Sequence, residues 1–387
     1  MGNQVIKIGI IGAGQIANNH LSTYQEIDGV EIVAVADIKK EKAQKAAQKY
    51  DIENVFQDPR DMLEMKEIEA VDVCVHNNKH MPLTVTALQA GKDVYCEKPM
   101  AGSYLDAKKM LETARSVDQK LHIQLAMIFD TRTLIAQKLI QEGKLGDVYH
   151  ARSLGFRRRG RPYVDGYGNP AFVNSYISGG GALYDMGVYH ISRLLYLLDN
   201  PEVDRISGKI YQKRKLHEAR RQKSGYDVEE LGLGFVKFSD DTVLDIMESW
   251  AAHLDETDGS KILGSDGGLC IDRSGDNLEF FHTVDDYDAD TSINLSAAEY
   301  RRKKVYEIGD IYDSPQHHWI RALQGQVELL PTAEIALNTM LIQQGIYLSD
   351  KLGREVTAQE INDLSESNAL QGEEVYTEDE VLLNKNK

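Results

Sequence analysis

The stretch Gly9-Ile10-Ile11-Gly12-Ala13-Gly14-Gln15-Ile16-Ala17 decides the fold. It closes an apolar run, Val5–Ile11, that reads as a buried strand, and it opens a helical segment, Gln15–Ile27. Strand, glycine turn and helix are the context that a GxGxxA fingerprint requires. Gly12 permits the tight turn, Gly14 lets the backbone approach a pyrophosphate, and Ala17 lets the helix pack closely on the sheet. The helix start at Gln15 and Ile16 offers free N–H groups and a positive dipole end to phosphates. The next strand, Val30–Ala36, runs into Asp37, 20 positions past Ala17. A carboxylate there accepts hydrogen bonds from ribose hydroxyls and repels a 2′-phosphate. Together these features predict a dinucleotide site. Asp37 favours NAD, and Lys39 and Lys40 beside it leave NADP open.

Outward from this stretch the first third alternates strands with helices. Val71–Val75, Val94–Cys96 and Leu121–Ala126 read as strands, and Lys39–Tyr50, Pro82–Ala90 and Tyr104–Asp118 as helices. Buried apolar strands alternating with helices mean an α/β unit with a parallel, doubly wound Rossmann sheet. The pattern changes after the helix Leu134–Glu142. Val148–Gly155, Arg205–Tyr211, Val228–Phe238, Thr242–Ala251, Lys261–Leu263 and Cys270–Asp272 read as strands with few helices between them, and Asp240-Asp241 as a hairpin turn. This predicts a second, α+β domain built on a mostly antiparallel sheet. Phe280–Ser296 reads as acidic and irregular, and 314–325 and 332–351 as helices. The expected units are 1–128, 129–361 and an acidic tail, 362–387, that is mobile or wraps a neighbour.

Composition narrows the class. A length of 387 residues suggests two or three domains. Lys plus Arg is 44 against 61 Asp plus Glu, a net charge of −17, which repels nucleic acid. No run of about 18 apolar residues predicts a membrane span. The N-terminus lacks a signal-peptide layout. The three cysteines, Cys74, Cys96 and Cys270, form no CxxC pair and suit a reducing cytoplasm.

Glu97-Lys98-Pro99 follows a predicted strand, where an open α/β sheet binds its ligands. A lysine there can aim its ammonium at substrate and cofactor. Gly179-Gly180-Gly181 lets the backbone pass close to a ligand or another element. In the helix predicted over Leu183–Leu198, Asp185 and Tyr189 share a face at i, i+4, and His190 points away from Asp185.

The chain resembles the Gfo/Idh/MocA family, named for glucose–fructose oxidoreductase and inositol dehydrogenase. The resemblance rests on GIIGAGQIA at 9–17, AVDVCVHNNKH at 70–80, ALQAGKDVYCEKPMA at 87–101 and GGGALYDMGVYH at 179–190, and extends to about residue 360. It implies that Asn78 and His80 lie beside the cofactor, that Glu97 and Lys98 flank the nicotinamide, and that the second sheet is open-faced. The family pattern is Asp-x-Gly-x-His. Here Tyr189 holds the histidine slot and His190 follows it, so proton transfer falls to Tyr189, with His190 as the alternative. The family's Gly-x-Asn-Arg-Arg-Phe stretch is replaced by Gln124-Leu-Ala-Met-Ile-Phe129, which suggests a more apolar substrate face.

The chemistry needs few groups. Oxidising a secondary alcohol removes a hydride to the cofactor and a proton to a base within hydrogen-bond reach. Lys98 would stabilise the alkoxide and lower the Tyr189 phenol, and Asp185 would orient Lys98 and the substrate. The basic excursion Phe156–Tyr163 looks like relatives that act on glycosides. Arg157, Arg159 and Tyr163 or Tyr167 would line a sugar site, or the loop is solvated or a subunit contact. His317-His318-Trp319 reads as helix packing, and no metal site is expected. The leading expectation is an NAD(P)-dependent dehydrogenase of a sugar, glycoside or cyclitol, assembled as a homo-oligomer (dimer or tetramer). The alternatives are a redox-neutral enzyme that retains NAD (glycosidase, epimerase or sugar–sugar oxidoreductase) and a non-catalytic dinucleotide-binding sensor.

Overall fold

A computed structural model describes residues 4–254, 259–272, 275–306, 309–378 and 383. The remainder of the acidic tail and the first three residues lie outside the described residues. The chain begins with β1 (Ile6–Ile11), α1 (Gln15–Tyr24), β2 (Val30–Ala36), α2 (Lys40–Tyr50), β3 (Asn54–Phe56), α3 (Pro59–Leu63), β4 (Ala70–Val73), α4 (Asn77–Gln89), β5 (Asp93–Cys96), α5 (Tyr104–Val117) and β6 (Leu121–Ile123). The six strands pair in parallel in the order β3-β2-β1-β4-β5-β6. That order reverses beside β1, and a crevice opens at the strand ends where β1 meets β4. The strands are apolar on both faces because helices cover both.

The second unit holds α6 (Thr131–Gln141), β7 (Val148–Phe156), α7 (Ser175–Ser178), α8 (Val188–Leu197), β8 (Val203–Tyr211), α9 (Glu218–Ser224), β9 (Leu231–Phe238), β10 (Val243–Ser249), β11 (Lys261–Gly264), β12 (Gly267–Cys270), β13 (Asn277–Val284), β14 (Tyr287–Asn294) and α10 (Leu295–Lys304). Then come α11 (Pro315–Leu323), α12 (Thr332–Leu352), β15 (Val356–Thr357) and α13 (Ala358–Leu364). The sheet runs β14-β13-β12-β11-β7-β10-β9-β8-β15, antiparallel except for the β7–β10 pair. One face packs under α8 and α12 around Ile206, Val236, Leu244 and Ile346. The register puts Phe235, Leu263 and Phe281 together on the other face, where they stay exposed. No helix among the described residues is long and apolar enough to cross a membrane.

Several expectations change. The Phe280–Ser296 segment is ordered as most of a hairpin, β13–β14, turned by Asp285 and Asp286, both at positive φ (49° and 67°). Paired left-handed residues match the twist of a two-residue hairpin, and aspartate tolerates that region. Strand β6 stops at Ile123, because Leu125 and Ile128 bury themselves in a tight turn, Ala126–Phe129, at the junction of the two units. The first 128 residues also do not stand alone: α11 contributes Trp319 and Ile320 to the core under β1 and α1.

Helix α4 begins at Asn77 and carries Pro82 inside it. Proline has no N–H to give the carbonyl four residues back, at Asn78. Leu370 N donates there instead, at 3.0 Å. The described part of the tail, 365–378, is thus a strap on its own nucleotide-binding unit. Asn368 N donates to Asp106 Oδ2 at 3.0 Å, and Lys79 Nζ donates to the Thr377 carbonyl at 2.7 Å. Arg60 stacks 3.9 Å over the Tyr376 ring, and Lys39 pairs with Glu378 at 2.9 Å. Leu370 and Val375, in the strap itself, are buried. Leu370→Ala is expected to lower unfolding free energy by about 2–3 kcal/mol in urea melts. An unchanged midpoint would show that the strap is not docked in solution.

Candidate active site

The glycine turn is a cradle that a side chain would fill. Gly12 has φ +99°, and a Cβ on it would stand 2.3 Å from the Cys74 carbonyl oxygen. Gly14 precedes α1, and a Cβ there would meet nothing within 4 Å, so the space above it is open. No side chain caps α1, so the leading N–H groups at Gln15 and Ile16 are left for an anion. Asp37 lies across the turn. Its Oδ2 accepts from Ala13 N and its Oδ1 from Lys39 N, each at 2.8 Å. Each oxygen keeps a second lone pair for a ribose hydroxyl. The residues present therefore fit a dinucleotide. Asn78 donates to the Tyr176 carbonyl at 3.1 Å, and its own Oδ1 is buried without a partner. His80 is fully buried, with its ring nitrogens against the Pro99 carbonyl (2.8 Å) and the Val75 carbonyl (3.0 Å). It ties the Glu97-Lys98-Pro99 turn to the loop before α4, so it presents no nitrogen to a cofactor.

A buried charge network lies under that turn. His20, on α1, faces Asp72 through Nδ1 (2.8 Å) and Glu97 through Nε2 (2.9 Å). All three side chains are shielded from water. Burial opposes a charge on His20, but Asp72 and Cys74 outweigh it and hold its pKa well above the usual histidine value. Burial likewise opposes ionisation of Glu97, and His20, Lys98 and His80 overcome it and hold the carboxyl low. An imidazolium between two carboxylates satisfies all three groups. Cys74 and Tyr24 complete the network by donating to Asp72.

Above it, Lys98 Nζ lies 3.1 Å from Asp185 Oδ1 and 4.5 Å from the centre of the Tyr189 ring. Burial disfavours the ammonium, and Asp185, Tyr189 and Glu97 overcome it and keep Lys98 charged. Burial also works against the Asp185 carboxylate, but Lys98, Arg157 and Trp250 hold it below the usual range. Trp250, fully buried, donates from Nε1 to Asp185 Oδ2 at 3.0 Å. The residues Leu183–Gly187 form a π turn rather than the start of an α-helix. Such turns bond i to i+5 and cluster at functional sites. Buried Glu229 holds this turn by accepting from Gly181 N and Leu183 N, both at 2.8 Å, and burial pushes its pKa up to about 7. The three glycines thus pass another element. Burial raises the Tyr189 phenol, and Glu97 and Asp185 add to it. Lys98 pulls the other way without prevailing, so the resting phenol keeps its proton.

Tyr189 also lines a cavity of about 990 Å³ together with Met127, Phe129, Phe156, Arg157, Met186 and His190. Its apolar part includes the segment that departs from the family's polar stretch. Arg157 hydrogen-bonds Tyr167 and reaches the field of Asp185. Arg159 and Tyr163 do not join the cluster: Arg159 is exposed beside Asp165, and Tyr163 stacks with Arg220. Arg161 is buried between Asp165 and Glu230, where it braces the excursion. His190 turns to Glu248 on β10, with Nδ1 3.0 Å from both oxygens. His318 is a packing residue that accepts from Leu330 N at 3.0 Å. The only metal-capable cluster among the described residues, His20, Asp72 and Cys74, belongs to the buried network.

Trp250, Glu229, Glu248, His20 and Asp72 escaped the sequence reading. Of these, Asp72 within the apolar run Val71–Val75 and Glu229 beside Glu230 carried a visible signal, a charge set in an apolar stretch.

A nucleotide cradle joined to a lysine–carboxylate–phenol cluster defines a nicotinamide-dependent oxidoreductase. Residues 6–125 match the model of the oxidoreductase family with an NAD-binding Rossmann fold (Gfo/Idh/MocA), residues 133–270 match that family's C-terminal domain, and the chain belongs to this family. D-glucoside 3-dehydrogenase of Escherichia coli K12 is 28% identical over 367 residues, which is 92% of this chain and 98% of that protein. Myo-inositol 2-dehydrogenase of Thermotoga maritima is 26% identical over 194 residues, 50% of this chain and 55% of that protein. Among solved structures, levoglucosan dehydrogenase in complex with NADH and levoglucosan has a TM-score of 0.75 at 20% identity, covering 91% of this chain and 99% of that one, and shares the fold.

Removing His20 leaves two buried carboxylates facing each other. His20→Asn is expected to cost about 3–5 kcal/mol at pH 6. Because the folded-state pKa of His20 is raised, its contribution is complete below about pH 6.5 and is lost as pH rises through the higher folded value. Denaturant melts of both proteins from pH 5.5 to 9 should therefore show the gap narrowing upward. A gap that widens with pH would refute the charged triad.

Proposed function

We propose that the chain is an NAD-dependent dehydrogenase acting on a secondary hydroxyl of a glycoside or related sugar or cyclitol. The observation that carries this reading is the Lys98 ammonium, held between the Asp185 carboxylate and the Tyr189 ring at the end of β5. Gly12, Gly14, Gln15, Ile16 and Asp37 would hold the dinucleotide, with Glu97 and Lys98 at its nicotinamide end. The nicotinamide, when bound, supplies the hydride acceptor. Lys98 and the protonated Tyr189 would both direct protons at the substrate oxygen, so a carbonyl oxygen there meets two donors, and an alcohol loses its proton to Tyr189 only after that phenol has released its own proton to solvent. Asp185, steadied by Trp250, fixes the ammonium so that no reorganisation is needed as charge develops. The Asp37 carboxylate, and the pairing of Lys39 with Glu378, support NAD over NADP. The resemblance to D-glucoside 3-dehydrogenase over nearly both lengths supports a glycoside.

A sensor has no need of the Lys98–Asp185–Tyr189 cluster. The strap fastened to Lys39 and Lys79 favours the second reading, a retained cofactor with redox-neutral turnover. The exposed Phe235, Leu263 and Phe281 on the open sheet face support a homo-oligomer, dimer or tetramer, and three buried cysteines outside any disulfide suit the cytoplasm.

Nicotinamide absorbance with added NAD and a panel of glycosides, sugars, sugar acids and inositols tests the reading. NADH should form with one class, and Lys98→Met should lower kcat by about 10²–10³. Cleaved or epimerised sugar without NADH would establish the second reading, and silence in both readouts would sink both. Because the Tyr189 phenol is raised, alcohol oxidation should climb between pH 7 and 10 while carbonyl reduction holds level over that range and falls only above it. Tyr189→Phe should flatten both profiles.

A further inference from the structure

We propose that His190, backed by Glu248, grips a second hydroxyl of the substrate, which selects polyols carrying a hydroxyl beyond the one oxidised. This rests on the dehydrogenase reading above. His190 follows Tyr189 on α8, and both line the same cavity. Tyr189 turns to Lys98, and His190 turns to the sheet, so two adjacent residues give that wall two separate polar tips.

The pair is built into the fold. Glu248 is completely buried, and Ser153 Oγ donates to its Oε1 at 2.7 Å. An ionised carboxylate only accepts, so the proton of a neutral His190 sits on Nδ1. Nε2 is then an acceptor, and it has no hydrogen-bond partner among the described residues. Gly155 makes the room: a Cβ there would stand 2.3 Å from His190 Cε1 and 2.4 Å from Nδ1. The other charged neighbours, Arg193 and Asp272, pair with each other.

That electrostatic setting chooses the ligand. If His190 takes up a proton, Glu248 behind it cancels the charge, so the pair has little to offer a carboxylate or phosphate. A neutral hydroxyl suits it in either state, donating to Nε2 in one and accepting from it in the other.

The test uses the panel sugar that yields the most NADH, together with its monodeoxy analogues. In His190→Asn the amide keeps a donor near the Nδ1 position for Glu248 and removes Nε2. The expected result is a rise in KM of about tenfold to a hundredfold on the parent sugar, exceeding the change in kcat. That penalty should vanish for one monodeoxy analogue, whose missing hydroxyl is the one gripped. Glu248→Gln should show the same selective pattern and carries the test if His190→Asn fails to fold, as thermal unfolding would reveal. An equal loss on the parent and every analogue, a loss confined to kcat, or no loss would overturn the assignment while leaving the dehydrogenase reading intact. A panel without any turnover, NADH or rearranged sugar, would strike down both.

Discussion

The ion pair between Lys98 and Asp185 is the constraint on which the rest of the structure depends. Its two members lie 87 positions apart and come from the two sheet-bearing units. Neither charge is cheap to bury alone, and each is held ionised by the other. The pair therefore requires the units to meet in one arrangement. Helix α12, packed across the second sheet and against α5 and β6, and the junction turn Ala126–Phe129 supply the apolar contact that makes that arrangement stable.

Behind the pair, the site is built from buried charges that answer one another. His20 sits between Asp72 and Glu97, Glu229 holds the π turn that carries Asp185, and Trp250 fixes the second oxygen of Asp185. Satisfied networks of this kind are rigid, and partly satisfied ones are costly. That rigidity suits the proposed chemistry, because a donor held in advance toward a reacting oxygen would need no reorganisation when charge develops. The same logic extends to Glu248 and His190, where a carboxylate without exposure orients a ring at the cavity wall.

The strap shows how a local defect becomes a tertiary contact. Pro82 leaves a carbonyl unpaired inside α4, and the chain's own C-terminal segment supplies the missing N–H nearly three hundred residues later. The strap then reaches Lys79 on α4 and Lys39 just before α2. An acidic, polar tail reads as mobile by composition. It docks because Leu370 and Val375 bury themselves and because α4 had an acceptor to fill.

By itself the sequence determined the nucleotide half: alternating apolar strands and helices, the glycine turn, and Asp37 at the end of β2 are local patterns with local physical reasons. It also marked Lys98, Asp185 and Tyr189, through short motifs whose spacing survives folding. Tertiary structure alone decided what surrounds them. His80 moved from the ligand to the protein interior because two carbonyls claimed its ring. Arg159 and Tyr163 fell outside the site because a loop's path is set by its anchors, here Arg161 between Asp165 and Glu230. The irregular acidic stretch became a hairpin because its turn residues tolerate left-handed φ. Trp250, His20 and Glu248 carry no motif at all. Their roles arise from hydrogen bonds between residues distant in sequence, and such bonds exist only once burial has removed the water that would compete for them.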